Sequence, residues 1–418
     1  MQRLIIHKPF GPLQPMEIPI DDVMVFIGEQ ATGKSTVAKL VYFFKGIVGS
    51  LLDKYKNGTQ LAFSEVEITI KEKFTGVAEG IKNHDSILMK YYYSDKTWIV
   101  IEVKKGHTYI TLSKDLKESS SKLEFPFDPI EPTLRAMFHE PSELLFIPSG
   151  RNVTVSYDEI FKMDFYASLK NRNKPKKFWE DILLKFFQRT EEVKSDFRGK
   201  SLNELVHRRN DIYNDIELNT IDLPLRLIQL ILKGEYYSNG DGEKIYFGEG
   251  TEDYVFLDNA SSGQQEVIRI LQNLFLMILN KEKFYLIIEE PEAHLYPTAQ
   301  RHLMEMIALM VNATGNQVLI TTHSPYTLTS FNNLLYAFKV GKDNPEAADV
   351  VQKELWLDPL KFNAYRLSSR KEDVFCQSIF DKETGLIGYN SIDDVSEDLA
   401  GDFDKLLELR QNTLYEQK

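Results

Sequence analysis

Cysteine is almost missing from this sequence: Cys376 stands alone in 418 residues, so no disulfide can form within the chain. Nothing clusters around it at metal-ligand spacing, and a reducing, cytoplasmic setting is the expectation. Long apolar runs are also missing. The longest, such as residues 274–279 and 284–288, fall far short of the roughly 18 residues of a membrane-spanning helix. Residues 1–8 have neither the apolar stretch nor the small-residue cleavage site of a signal peptide, so neither secretion nor a membrane anchor is expected. Internal repeats and low-complexity tracts are absent. Basic charge is in deficit, 50 Lys and Arg against 62 Asp and Glu, and the resulting −12 disfavours a surface that coats nucleic acid everywhere. What is present is an ordinary folding composition, 43% hydrophobic and 27% charged. At roughly 100–200 residues per domain the length suits two or three domains.

The charge is uneven. Residues 381–418 hold four basic and ten acidic residues, a balance of −6, whereas residues 170–200 hold ten basic and five acidic, a balance of +5. The acidic tail reads as a protein-contacting end. The basic stretch, with Lys174, Lys176 and Lys177, is the one candidate nucleic-acid contact, against the plainer reading of a solvated helical hairpin.

Along the chain, residues 3–6 and 17–20 read as short strands, and 23–27 as a buried strand with a helix to follow. Alternation over 61–70 and β-forming residues through 86–112 predict an antiparallel meander. Residues 144–148 form another apolar strand. Helical spacing of apolar residues then runs through 178–232, giving an inserted helical element too short for a coiled-coil arm. Asn239-Gly-Asp-Gly242 marks a hairpin. Residues 263–280 read as a helix, 284–288 as a strand, 298–313 as a helix and 317–321 as a strand, a rhythm that gives a mainly parallel sheet. Beyond 343, strands are predicted around 354–357 and 374–380. A helix over 395–411 follows, with Leu399, Phe403, Leu406 and Leu407 on one face.

Gly28-Glu29-Gln30-Ala31-Thr32-Gly33-Lys34-Ser35 matches the phosphate-binding pattern G-x-x-x-x-G-K-[ST] without departure, and Thr36 continues it into the helix. Glycines let the backbone wrap a phosphate, and the amides and helix N-terminus supply positive partial charge. Lys34 would reach the β- and γ-phosphates, and Ser35 would offer its hydroxyl to Mg²⁺. Residues 284–288 end in Glu289 and Glu290, as a Walker B strand does. There Glu289 would hold Mg²⁺ through water and Glu290 would polarise the attacking water. Ser261, Ser262, Gly263 and Gln264 precede a helix, forming either an anion-binding end or a routine cap. His323 ends the strand of residues 317–321 at the same edge as the two glutamates.

The order of these four motifs resembles the ABC-class ATPase heads of the SMC, RecF and OLD group, over roughly residues 1–165 and 235–330. The short insertion and the E-E-P-E-A-H-L-x-P form look most like the OLD-type ATPases, many of which serve antiphage systems. The resemblance implies a P-loop NTPase of α/β class with a mainly parallel sheet, an antiparallel β lobe and an inserted helical element. It implies ATP and Mg²⁺ as cofactors, Glu290 as catalytic glutamate, His323 as switch histidine, and Ser262-Gly263-Gln264 as a signature that meets ATP on a second head. Two ATP molecules would then be sandwiched in a head-to-tail dimer. Three departures stand out: Glu289 replaces the commoner aspartate, no glutamine lies between Leu61 and Phe187 to act as the Q-loop residue, and only 95 residues follow His323, with no acidic constellation for a Toprim nuclease. Arg151 is considered as a substitute γ-phosphate sensor.

The expected division is therefore an ATPase core from 1–165 and 235–340, a helical insertion at 166–234 and a C-terminal α/β extension at 341–418. Three functions stay open: an ATPase whose dimer state is read by a separate effector, a RecF-like ATPase clamped on DNA, and an ATP-gated scaffold with negligible turnover. A transporter ATPase is disfavoured, because the Leu-Ser-Gly-Gly-Gln form and the usual Q-loop are both missing.

Overall fold

A computed structural model describes residues 1–79, 86–124, 129–156, 178–213, 219–248, 252–369, 373–388, 399–407 and 409–410. Its organising element is a six-stranded sheet. The strands introduced in chain order are β1 (Arg3–Lys8), β2 (Met16–Pro19), β3 (Val23–Gly28), β4 (Ser86–Tyr92), β5 (Trp98–Lys104), β6 (His107–Leu112), β7 (Glu143–Ile147), β8 (Glu235–Asn239), β9 (Gly242–Tyr246), β10 (Tyr254–Phe256), β11 (Phe284–Glu289), β12 (Gln317–Thr322), β13 (Phe362–Leu367) and β14 (Cys376–Ser378). The sheet order is β14-β13-β3-β12-β11-β7, parallel from β13 to β7, with β14 antiparallel at one edge. β3, β11 and β12 are buried nearly throughout because both faces of the sheet are covered, and β3 and β11 are accordingly almost entirely apolar.

The period-two geometry of a strand divides the core in two. Val23, Val25, Ile27, Leu286, Ile288, Val318 and Ile320 face one apolar cluster, together with the helices Ser262–Asn280 and Pro297–Thr314. Met24, Phe26, Tyr285, Ile287 and Leu319 face the other, with the helix Lys34–Lys45 and an antiparallel sheet of order β2-β1-β4-β5-β6. This second sheet is the predicted β lobe. A third, smaller sheet, β10-β9-β8, contains the predicted hairpin at 239–242.

The structure corrects several expectations. Residues 61–70 are not a strand: Phe63–Ala78 is a helix whose buried Val66, Ile70 and Phe74 recur every four residues, while Ile68 is exposed. The alternation of 66, 68 and 70 fits a strand only until Glu72, exposed and charged, falls at the next position of that face. The expected strand at 354–357 is a turn of 3-10 helix, Lys353–Leu355. The helical segment packs into the main core through Phe186, Val193, Phe197, Leu205 and Leu227, and its last helix, Asn219–Leu232, runs through Pro224. The proposed boundary at 340/341 cuts the central sheet, since β13 lies beside β3 with Tyr365 paired to Phe26. The described helical turns at 399–407 leave Leu399, Phe403 and Leu406 more than half exposed, so their apolar face is not a lid on the described core.

Tyr365 is buried and stacks on Phe26 at 5.5 Å between ring centroids. Tyr365→Ala should therefore lower the stability of the main urea-unfolding transition by about 3 kcal/mol. An unchanged main transition would show that β13 folds apart from the core.

Candidate active site

All the predicted cis residues arrive at the carboxyl edge of the parallel strands. β3 ends at Gly28 and the chain turns through Ala31, at φ 62°, and Gly33, at φ 98°, into the helix Lys34–Lys45. Side chains at the two glycines would collide with their surroundings: a Cβ on Gly28 would stand 2.2 Å from the Leu367 carbonyl oxygen, and one on Gly33 would stand 2.6 Å from Leu13. The helix has no side-chain cap and no acidic residue in its first turn, so its N-terminal donors are left for an anion. Thr32 Oγ1 donates to the Glu29 carbonyl at 2.9 Å, fastening the loop. Lys34 folds back over it, with Nζ donating to the carbonyls of Gly28 and Glu29, each at 2.8 Å.

Two neighbouring strands deliver the acids and the histidine. Parallel pairing sets Glu289 on β11 opposite Thr321 on β12, so His323 follows just beyond the same level. His323 stands between the two key groups: Nδ1 lies 3.5 Å from Lys34 Nζ, and Nε2 lies 3.4 Å from Glu290 Oε1. Burial lowers the Lys34 ammonium to about 8, against the opposing pull of Glu290 and Glu292. Glu289 is raised by burial, opposed by Lys39, the Ser35 hydroxyl and the Ser149 amide. Its Oε2 accepts from Ser149 N at 3.4 Å, while its buried Oε1 has no hydrogen-bond partner. A buried, underused carboxylate oxygen beside the Ser35 hydroxyl fits Mg²⁺, whose charge would lower the cost of ionising Glu289.

Two supporting residues carry no signal of their role in the sequence, and a third, Arg151, has a role other than the one expected. Glu292 was read only as part of a motif, yet its Oε1 accepts from Thr322 Oγ1 at 2.6 Å and from the His323 amide at 2.8 Å, fixing the histidine's backbone. Gln300 accepts from Ser324 Oγ at 2.6 Å, holding the next residue. Arg151 is wholly buried and donates to the carbonyls of Pro148, Glu266, Glu289 and Glu290. The structure therefore does not place it as a γ-phosphate sensor, because it is fully buried and these carbonyls take one donor of Nε, two of Nη1 and one of Nη2.

The signature residues divide their work. Ser261 and Gln264 form a reciprocal capping box at the start of the helix Ser262–Asn280, as the plainer reading anticipated. Gly263 permits close packing, since a Cβ there would stand 2.6 Å from the His294 carbonyl oxygen. Ser262 is exposed at the helix N-terminus. Lys174, Lys176 and Lys177 lie outside the described residues. Further along the basic stretch, Lys185 pairs with Asp181, Arg189 with Glu282 and Lys194 with Glu243, so these three cations are matched within the fold.

The family model for the AAA domain, putative AbiEii toxin, Type IV TA system, matches residues 23–329, spanning this whole constellation. The chain belongs to this AAA family. Its fold is that of an ATP-binding P-loop ATPase, in agreement with the ATPase-head resemblance read from the four motifs. Among solved structures, an Smc head bound to the C-winged helix domain of ScpA aligns at TM-score 0.45 and 12% identity, over 92% of this chain and 98% of that one. An Smc head with an extended coiled coil, bound to the C-terminal domain of ScpA derived from Pyrococcus furiosus, aligns at 0.41 and 12%, over 90% and 96%. The SMC head domain from Thermotoga maritima aligns at 0.35 and 11%, over 78% and 90%. No curated protein matches.

Because the depressed Lys34 ammonium is present below about pH 8 and lost above it, nucleotide affinity should fall by up to about tenfold per pH unit beyond 8. Titration with a fluorescent ATP analogue between pH 7 and 9.5 measures this. A flat profile would show that Lys34 does not carry phosphate binding through its charge.

Proposed function

We propose that this protein hydrolyses ATP in a head-to-tail dimer and that a separate effector protein reads its open or closed state, as in OLD-type antiphage ATPases. The reading rests on one observation: Lys34, His323 and Glu290 form a continuous polar chain in cis, whereas the signature's Ser262 is exposed at a helix N-terminus. Lys34 binds the β- and γ-phosphates, and the amides of residues 28–35 surround them. Ser35 and Glu289 would hold Mg²⁺, which would supply charge neutralisation at the phosphate oxygens. A water oxygen bonds to the γ-phosphorus as the bridging bond to ADP breaks, and Glu290 accepts the water's proton. His323 Nε2 orients Glu290 and brings a second polar contact to the γ-phosphate.

Ser262 of a second copy completes the site with a hydroxyl and helix-terminal amides. ATP thereby gains contacts that exist only in the closed dimer, and this differential affinity is what lets nucleotide shift the equilibrium. Hydrolysis removes those contacts. The acidic C-terminal segment, with the exposed Leu399, Phe403 and Leu406, is the surface offered to the effector, and a cytosolic setting fits the lone, half-buried cysteine.

Glu290→Gln should cut turnover at least 100-fold and accumulate an ATP-bound dimer, seen as a doubled mass in light scattering after size exclusion. Adding Ser262→Arg should return the mass to that of the monomer. If ATP changes neither mass nor shape in Glu290→Gln, the sandwich is wrong. The RecF-like reading draws on the +5 stretch of residues 170–200. It requires duplex DNA to raise turnover and to bind with a steep salt dependence that weakens when Lys174, Lys176 and Lys177 are neutralised.

A further inference from the structure

We infer that Arg151 is a positioning residue for ATP hydrolysis: its guanidinium holds the backbone of Glu290 in the left-handed conformation that aims the carboxylate at His323. The inference rests on Glu290 acting as the general base. Glu290 has φ 44°, a region that residues with a side chain enter only when their surroundings impose it. Three hydrogen bonds hold it here, and only one of them comes from a side chain. The Glu290 amide donates to the Thr321 carbonyl at 2.8 Å, and the Glu290 carbonyl accepts from Arg151 Nη2 at 3.0 Å and from the Ala293 amide of the following turn at 3.1 Å. The peptide units on both sides of the strained residue are thus anchored, one by the neighbouring strand and one by a buried side chain.

The rest of the guanidinium makes that anchor rigid. Nη1 donates to the carbonyls of Pro148 at 3.1 Å and Glu289 at 2.9 Å, and Nε donates to the Glu266 carbonyl at 2.8 Å. A planar group with donors on three nitrogens can serve four carbonyls from three segments at once; an ammonium cannot. The three segments are the loop after β7, the end of β11 and the first turns of the signature helix Ser262–Asn280. The buried charge is balanced by Glu266, whose Oε2 lies 3.3 Å from Nε. Loss of this fan would leave the Glu290 carbonyl held only by the Ala293 amide of its own turn, free to shift with that turn, and would let the residue relax toward ordinary backbone angles, turning its carboxylate away from His323. The P-loop contacts of Lys34 involve none of these groups, so nucleotide binding should persist.

Removing the arginine alone would strand the Glu266 carboxylate and could unfold the chain, so the test removes both charges together. Turnover and ATP affinity of the full chain are compared between Glu266→Gln and Arg151→Met/Glu266→Gln, with thermal unfolding as the control for folding. The expected result is turnover at least 100-fold lower in the double variant, with ATP dissociation constants within threefold and a single cooperative transition in both. Turnover within threefold of Glu266→Gln overturns the inference. Affinity and turnover lost in equal measure also overturn it, because that pattern marks a general structural role. If the double variant does not fold, Arg151→Lys alone is read by the same split, with the same outcomes deciding. Glu290→Gln in the otherwise native chain tests the base assignment separately: full turnover there defeats the hydrolysis reading, whatever Arg151 does.

Discussion

Parallel pairing of β3, β12 and β11 is the constraint on which the site depends. In parallel register the strands end at one level, Ile27 beside Thr322 and Thr321 beside Glu289, so whatever follows each strand emerges at a common edge. The phosphate loop at 28–35, the glutamates at 289–290 and His323 come from three separate chain segments, the first far in sequence from the other two, yet none needs a long side chain to meet the others. An antiparallel arrangement of the same strands would send His323 or the loop to the opposite edge.

That edge is crowded with polar groups, of which Lys34, Glu289 and Glu292 are buried while His323 and Glu290 remain about a third exposed. Burial depresses the Lys34 ammonium and raises the Glu289 carboxyl, so both are poised for a ligand that brings phosphate charge and a divalent cation. Buried counterparts fix the neighbours: Glu292 holds the His323 amide, and Arg151 joins the end of β11 to the signature helix. The strained backbone at Glu290 and the close approach of Gly263 to His294 belong to the same block. Anything that moves the N-terminus of the helix Ser262–Asn280 therefore acts on a unit that includes Glu289 and Glu290.

The local patterns were legible to different depths. Continuous apolar runs such as residues 23–27 and 284–288 identify doubly buried strands because no polar residue interrupts them. Residues 61–70 misled because Val66, Ile68 and Ile70 satisfy a period of two, and it is the charged Glu72, between the buried Ile70 and Phe74, that breaks it in favour of the period of four that burial selected. β13 went unread because Phe362-Asn-Ala-Tyr-Arg-Leu367 mixes polar residues into its run; Asn363 is accommodated by a hydrogen bond to Asp21 that sequence cannot show. Arg151 was read for its charge, whereas its function in the fold comes from carbonyl acceptors, which every residue possesses and no sequence distinguishes.

By itself the sequence determined the phosphate loop, the strand-borne glutamates, the histidine and their order, because each depends on residue type at short spacing: glycines for tight turns, a lysine for phosphate, carboxylates for metal and water. Tertiary structure alone decided which of them touch, which signature residues are spent on capping, and that a strand from the far end of the chain closes against β3. Those outcomes depend on sheet order, register and burial, which are set by contacts between segments far apart in the chain and leave no local pattern behind.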